Sequence, residues 1–248
     1  MFPELPFSPI RTSLYTPQDL MGSLNACDYR SFASTVDFKC FAYYVEHGRS
    51  APRDPLSSIF ESLHDNSITQ ATIALLKHHR RVAGIMGGHD EPRGSTTYST
   101  IARISVALCR AGFLVASGGG PGAMEAAHLG ACFQRDPSAL AAAIEELKAK
   151  APSLPERADH VIASDGKVDD SIVRELHAWI MPAFTMSQKL VHAGKSLALP
   201  IWYYGHEPST PFATSIGKYF QNSLREDGLV TLAAHGIVFA SGKAGTLQ

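Results

Sequence analysis

The stretch Phe113-Leu-Val-Ala-Ser-Gly-Gly-Gly-Pro-Gly-Ala-Met-Glu125 decides how the rest of the chain is interpreted. It is typical of a short apolar strand, a glycine turn and a helix that continues through Ala126, Ala127 and Leu129. Glycine adopts backbone angles that are closed to other residues and lets a ligand approach the main chain. The start of a helix favours an anion, so the stretch predicts a phosphate site. The alternative is a glycine turn that only packs the helix against the sheet.

Two other segments have the same form, an apolar strand that ends in a turn of small residues. One is Gly84-Ile-Met-Gly-Gly88, and the other is Gly236-Ile-Val-Phe-Ala240 followed by Ser241-Gly-Lys-Ala-Gly-Thr246. In an open parallel sheet, the loops at the carboxyl ends of the strands line one crevice, where ligands bind. The three turns together predict a crevice that holds one small phosphorylated molecule.

The common glycine motifs fit this chain poorly. Gly118, Gly120 and Ala123 satisfy a loose dinucleotide pattern, but Pro121 removes an N–H donor from the turn. No strand that ends in an acid follows about 20 residues later, where a ribose-binding acid belongs, because that region has the composition of a helix. We therefore expect no nicotinamide cofactor.

A Walker-type ATP site is equally poorly supported. Lys243 follows Gly242, but Ala244 stands where a P-loop needs Ser or Thr. The glycine four residues before the Gly-Lys pair is also missing. We expect the protein to work without a cofactor.

Composition excludes several classes of protein. With 248 residues, 45% hydrophobic and 18% charged, the chain can fill one sizeable core or one core and a small accessory region. The net charge of −1 gives no basic field for nucleic acid. No apolar run approaches the roughly 20 residues that span a bilayer, and the N-terminus lacks the layout of a signal peptide. We expect a cytoplasmic protein without membrane contact.

The cysteines and histidines predict no metal site. The four cysteines are widely scattered and form no Cys-x-x-Cys pair, so we expect buried, reduced thiols rather than zinc ligands or disulfides. They are Cys27, Cys40, Cys109 and Cys132. The eleven histidines show no spacing typical of metal ligands.

The pattern of the chain predicts an α/β fold, a Rossmann-like parallel sheet with helices on both faces. Residues 1–75 are expected to form a mainly helical extension of short helices and loops, and residues 76–248 the nucleotide-binding domain. The expected strands are 82–86, 113–117, 161–163, 197–204 and 236–240. The expected helices, apart from the one after the glycine turn, are 98–110, 139–150, 172–191 (with Pro182 as a possible interruption) and 212–225.

Three motifs of this sequence resemble motifs of one protein family. Ser117-Gly-Gly-Gly-Pro-Gly-Ala-Met-Glu-Ala-Ala127 is similar to the Gly-Gly-Gly-Pro-Gly-x-Met-Glu-Ala motif of the LONELY GUY (LOG) proteins, which include bacterial nucleotide 5'-monophosphate nucleosidases and are often labelled lysine decarboxylases. Gly84-Ile-Met-Gly-Gly-His89, with Tyr98 further on, resembles that family's first strand and loop. Ser241-Gly-Lys-Ala-Gly-Thr-Leu-Gln248 resembles its Pro-Gly-Gly-x-Gly-Thr-x-x-Glu motif. The resemblance covers roughly residues 80–248.

The third motif departs from the family pattern. Ser241 replaces the motif's proline, and Lys243 replaces its second glycine. The motif's final glutamate would be residue 249, whereas the sequence ends at Gln248. We expect the domain to be truncated at this end.

The resemblance implies a hydrolase that cleaves the N-glycosidic bond of a nucleoside 5'-monophosphate, releasing free base and ribose 5-phosphate. It also implies a homodimer or larger homo-oligomer. Breaking this bond builds positive charge on the ribose, which a carboxylate stabilises. Glu125 is the candidate carboxylate, although acids are common in first helical turns because they suit the helix dipole. Arg225 is the candidate for binding phosphate or ribose. The alternative is that Arg225 belongs to an ordinary solvated helix end.

The remaining candidates bind substrate without a catalytic role. The expected phosphate-binding residues are Gly88, His89, Gly118, Gly119, Gly120, Gly122, Gly242, Lys243, Ala244, Gly245 and Thr246. The expected contacts to base or ribose are Tyr204, His206 and Glu207, whereas Trp202 is expected in the core. The alternative function is a non-catalytic protein, a sensor or carrier that binds a nucleotide or a phosphorylated cofactor. The altered third motif favours that alternative, and the intact glycine turn with Glu125 favours the enzyme.

Overall fold

The computed structural model describes residues 4–49, 54–190, 194–202 and 207–240. Its strands are β1 (Val82–Met86), β2 (Leu114–Ser117), β3 (Ser196–Ala198), β4 (Ser215–Ile216) and β5 (Ile237–Phe239). They form one sheet in the order β4-β3-β2-β1-β5, in which every neighbouring pair is parallel. Because β2 is buried at all four positions, its sequence is continuously apolar or small instead of alternating. The predicted α/β fold with a parallel sheet is confirmed.

Helices pack on both faces of this sheet, as predicted. The α-helices are α1 (Pro17–Met21), α2 (Val36–Glu46), α3 (Pro55–Leu76), α4 (Thr96–Arg110), α5 (Ala123–Cys132), α6 (Leu140–Lys150), α7 (Asp170–Lys189) and α8 (Asn222–Leu232). Two hydrophobic cores lie on opposite faces, since Leu114 and Ala116 of β2 belong to one core and Val115 to the other. Helices α4, α5 and α6 supply the core on the Val115 side.

The N-terminal segment, described over residues 4–49 and 54–76, supplies much of the other core. Phe41 and Tyr44 of α2 and Ile68 of α3 share that core with Leu114. This segment also reaches the sheet edge, because the Tyr15 N–H donates to the Ile216 carbonyl at 2.9 Å. The segment is mainly helical, as predicted, but α3 has 22 residues and is not one of the short helices expected there.

Two predicted elements near the end of the chain form, but with different bounds. The strand expected over 197–204 ends at Ala198, and its last residues lie outside the described part. The helix expected over 212–225 begins only at Asn222, and its first part contains β4. After β4 the chain stays extended beside the end of β3, because the Gly217 N–H donates to the Ala198 carbonyl at 2.8 Å. The Tyr219 N–H donates to the Pro200 carbonyl at 2.9 Å, so these residues are not free to start a helix.

Three smaller expectations also changed. No strand forms over 161–163, where Ile162 makes only an isolated bridge with Val168. Helix α7 continues through Pro182 without interruption. Of the four cysteines, Cys27 is exposed, so the prediction of buried thiols holds for the other three.

Close packing of α4 against α5 fixes the helix that follows the glycine turn. A Cβ atom at Gly130 of α5 would overlap the carbonyl oxygen of Ala102 in α4. On the same interface the Ser105 hydroxyl donates to the Ala127 carbonyl at 2.5 Å. The two helix backbones therefore approach each other at a point where only glycine fits.

We predict that Gly130→Ala destabilises the protein by about 1–3 kcal/mol, because the added methyl group must push two backbones apart. Gly228→Ala is the matched control, since it lies inside α8 and an added Cβ there has no atom within 4 Å. It should be neutral or stabilise by up to about 1 kcal/mol through helix propensity. Urea denaturation measures both changes. Equal midpoints for the two variants would contradict the packing described.

Candidate functional site

The carboxyl ends of β1, β2 and β5 meet at one edge of the sheet, as the three turns predicted. β1 lies between the other two strands. The Ala240 N–H donates to the Met86 carbonyl at 2.8 Å, so the chain after β5 starts beside the turn that follows β1. On the other side, the Ala123 N–H donates to the Gly88 carbonyl at 3.0 Å and joins the turns after β1 and β2.

The glycine turn, residues 118–122, needs glycine at two positions for reasons of backbone angle and of space. Gly119 and Gly122 have φ of +73° and +66°, which other residues rarely adopt. A Cβ at Gly119 would lie 2.6 Å from the Cβ of Ala198. A Cβ at Gly122 would overlap the Gly88 carbonyl oxygen. The turn therefore packs directly against the end of β3 on one side and against the loop after β1 on the other.

Two buried side chains, those of Ser117 and His128, hold the glycine turn in place. The Gly119 N–H donates to Ser117 Oγ at 3.1 Å, and His128 Nε2 lies 2.8 Å from the same oxygen. Burial lowers the pKa of His128 to about 3, so this ring is neutral near pH 7. The predicted phosphate-binding amide of Gly119 thus already has a partner within the protein.

Glu125 lies in the first turn of α5, where the sequence placed it, but its carboxylate is fully buried. Arg93 Nε and Nη2 donate to its two oxygens, each at 2.7 Å. The Tyr98 hydroxyl donates to Oε1 at 2.8 Å. Such a bidentate pair with an added hydrogen bond offsets the cost of burying the charge. In this arrangement Glu125 ties α5 to the loop after β1 and to α4.

Arg93 and Tyr98 are the partners that sequence reasoning did not assign to Glu125. Arg93 also donates through Nη1 to the carbonyls of Ala151 and Trp179, at 3.1 and 3.0 Å. A sequence signal for such a pair exists, because an acid among the apolar residues of α5 has to be buried, and a buried acid needs a cation. The sequence does not indicate which of the surrounding arginines supplies it.

Glu207 is the acid that lies at the glycine turn. Its Oε2 is 3.1 Å from the position that a Cβ on Gly120 would take. Its Oε1 lies 3.4 Å from His89 Nδ1, and the His89 side chain is 43% exposed. Two residues predicted for different parts of the ligand, one after β1 and one from the loop after β3, are therefore in contact.

Arg225 reaches the same turn from α8. Its Nη1 lies 3.9 Å from the position of a Cβ on Gly118. Its Nη2 donates to Asn222 Oδ1 at 2.8 Å and to Glu226 Oε1 at 3.3 Å. The side chain is 13% exposed, so Arg225 is not an ordinary solvated helix end.

The electrostatics of this cluster depend on Glu207. Burial raises the pKa of the Glu207 carboxyl above its usual range, while the positive charges of His89, Arg225 and Lys218 lower it. The net shift is upward. A carboxyl with a raised pKa beside a glycine turn and an arginine is a better proton acceptor than an ordinary carboxylate, and such shifts are common in functional sites.

The remaining predicted site residues, Tyr204, His206, Gly242, Lys243, Ala244, Gly245 and Thr246, lie outside the described residues. Over the ranges that are described, no three His, Cys, Asp or Glu side chains are grouped so as to hold a metal ion. None of the described helices has the length and apolar character needed to cross a membrane. Trp202 is 1% exposed, which confirms its prediction as a core residue.

Comparison with known proteins adds no relative to these observations. No family model matches the chain, and no curated protein is significantly similar to it.

We predict that His89→Ala raises the pKa of Glu207 further, because a nearby positive charge that lowers it is removed. The carboxyl carbon of Glu207, followed by NMR during a pH titration, reports this pKa directly. His160→Ala is the control, since His160 pairs with Asp159 at the surface. An unchanged or lowered pKa of Glu207 in the His89 variant would show that the two side chains do not interact as described.

Proposed function

We propose that the protein hydrolyses the N-glycosidic bond of a nucleoside 5'-monophosphate and releases free base and ribose 5-phosphate. The observation that carries the proposal is the convergence of Glu207, His89 and Arg225 on the glycine turn. They come from three separate parts of the chain and meet at the carboxyl edge of a parallel sheet, where open α/β folds bind ligands. The resemblance of the glycine turn to that of LOG proteins supports the same activity.

The groups divide naturally between phosphate and sugar. Arg225 lies beside Gly118 and supplies a positive charge next to a turn that precedes a helix N-terminus, the combination that favours a phosphate. Glu207 lies beside Gly120 and would be repelled by the phosphate. We therefore assign the phosphate to the Arg225 side of the turn and the ribose to the Glu207 side.

Glu207 has two possible contributions to the reaction. As a carboxylate it stabilises the positive charge that develops on the ribose when the bond to the base breaks. It can also accept a proton from the attacking water, and a raised pKa makes the carboxylate a stronger base for that transfer. His89, in contact with Glu207, is a candidate donor to the departing base or to the phosphate.

In this proposal Glu125 changes its role from the one that the sequence suggested. Both of its oxygens are bonded to Arg93 or Tyr98, and the side chain has no exposed surface. A carboxylate in this position shapes the site by fixing α5 and the loop after β1. It would touch the ribose only after a rearrangement that breaks the pair with Arg93.

One observation favours the second candidate function, binding of a nucleotide or phosphorylated cofactor without catalysis. Glu125, the candidate catalytic acid of the LOG-like motif, forms a buried ion pair with Arg93. If Glu207 plays no part in chemistry, the described residues still offer a turn, an arginine and a histidine for a phosphorylated ligand.

The test is incubation of the full chain with AMP, GMP, CMP and UMP, with free base measured by chromatography. We expect release of base, and a fall in kcat/KM of roughly tenfold or more for Glu207→Gln and for Arg225→Ala, because each removes a charged group at the reacting end. The matched controls are Glu145→Gln and Arg103→Ala, whose side chains are exposed on other helices. They should retain wild-type turnover.

The same assay separates the two candidate functions. Tight binding of AMP with no base released would support the binding protein and contradict the enzyme. Turnover by Glu207→Gln at the wild-type rate would contradict the role given to that carboxyl. Glu125→Gln should lower the stability to urea, and a loss of turnover in a variant as stable as wild type would return the catalytic role to Glu125.

A further inference from the structure

A second buried ion pair lies outside the candidate site, between the N-terminal segment and the loop that carries Glu207. It joins Asp37 of α2 to Lys218, which follows β4, and their exposed fractions are 2% and 0%. Lys218 Nζ donates to Asp37 Oδ1 and also to Ser209 Oγ, the latter at 3.1 Å. Lys218 Nζ also lies 5.0 Å from the ring centroid of Trp202.

Ser209 connects this ion pair to the backbone of the Glu207 loop. Its N–H donates to Asp37 Oδ2 and its hydroxyl donates to Asp37 Oδ1, both at 3.3 Å. The next residue is bonded to the glycine turn instead of α2, because the Thr210 N–H donates to the Gly119 carbonyl at 2.9 Å. Residues 207–210 are thus held between the glycine turn and α2.

Stability alone is a weak explanation for this arrangement. Taking two charges out of water costs about as much as their attraction returns, and an apolar pair of similar volume is often the more stable choice. The pair instead fixes the orientation of the Asp37 carboxylate, because this group bonds both the Lys218 ammonium and the Ser209 N–H. The backbone two residues after Glu207 is therefore held in one place.

We propose that Asp37 and Lys218 are positioning residues, which act through Ser209 to hold Glu207 against the glycine turn. The proposal rests on the function proposed above and gives the N-terminal segment a part in it. Helix α2 contributes Asp37 to this role. It supplies the carboxylate that fixes the loop, so that the site is complete only when the N-terminal segment is packed on the sheet.

The main test uses the double variant Asp37→Asn/Lys218→Met, which removes both charges together and leaves no unpaired buried ion. Hydrogen exchange followed by mass spectrometry should show faster exchange in peptides covering 207–213, by roughly tenfold, as the bonds of Ser209 and Thr210 open more often. Peptides of α4 should be unchanged. For base release from AMP, we expect kcat/KM to fall roughly tenfold or more, because a displaced group loses most of its effect.

A cycle with Glu207→Gln separates positioning from a general loss of structure. If the ion pair acts through Glu207, the double variant should have little further effect on kcat/KM once Glu207 is glutamine. If the loss of kcat/KM in the double variant is the same with glutamine at position 207 as with glutamate, the proposal is overturned. Asp169→Ala removes the side-chain N-cap of α7 and serves as a control for lowered stability. Any change that it causes in kcat/KM should multiply in full with the change caused by Glu207→Gln.

Ser209→Ala is the milder second variant, should the double variant fail to fold. It removes the hydroxyl between Lys218 and Asp37 and keeps both charges, so a smaller change of the same kind is expected in exchange over 207–213 and in kcat/KM. A folded Ser209→Ala protein with wild-type exchange and wild-type turnover would overturn the proposal.

Failure of the proposed function gives a different pattern. If the wild-type chain neither releases base nor binds AMP, the function proposed for the site is wrong, and hydrogen exchange alone decides the role of the ion pair. Faster exchange confined to 207–213 would then still support an anchor for this loop. Unchanged exchange in a folded variant would overturn it.

Discussion

The structure depends on the close contact of the glycine turn with the chain on both of its sides. Gly119 lies against Ala198 at the end of β3, and Gly122 lies against Gly88 after β1. Both contacts exclude a Cβ, and both glycines have positive φ. Because the turn has no side chains at these points, three strand ends come close enough for residues from different parts of the chain to meet. The contact of Glu207 with Gly120 and the approach of Arg225 to Gly118 both follow from it.

Two buried ion pairs stabilise this arrangement from opposite sides. Arg93 and Glu125 fix the loop after β1 to α5, and Asp37 and Lys218 fix the loop of Glu207 to α2. In each pair one partner lies on a helix and the other on a chain that follows a strand. Removing one partner of such a pair typically costs about 3–5 kcal/mol, since a buried charge is left alone. The loops at the edge of the sheet are therefore held by charge as well as by apolar packing.

The sequence predicted the parts of the fold that rest on local patterns. β1, β2 and β5 are runs of apolar or small residues that are followed by glycines in the sequence, and α4 has a regular apolar face, so these elements lie where expected. The region 197–225 was predicted wrongly because its course depends on tertiary contacts. Phe212 and Lys218 are fully buried by residues distant in the sequence, and no local period records that burial. The same limit applies to the site. Its glycines could be recognised from the sequence, but the pairing of Glu125 with Arg93 depends on which cation reaches a buried acid.

The central claim is that the glycine turn, with Arg225 and Glu207 beside it, binds the phosphate and ribose of one nucleotide. Its most direct test is the backbone amide NMR spectrum during titration with AMP and, separately, with adenosine. AMP should shift the amide signals of Gly118, Gly120 and Glu207, while adenosine should leave those of the two glycines in place because it lacks the phosphate. Shifts confined to other regions, or identical shifts of these glycines with both ligands, would contradict it.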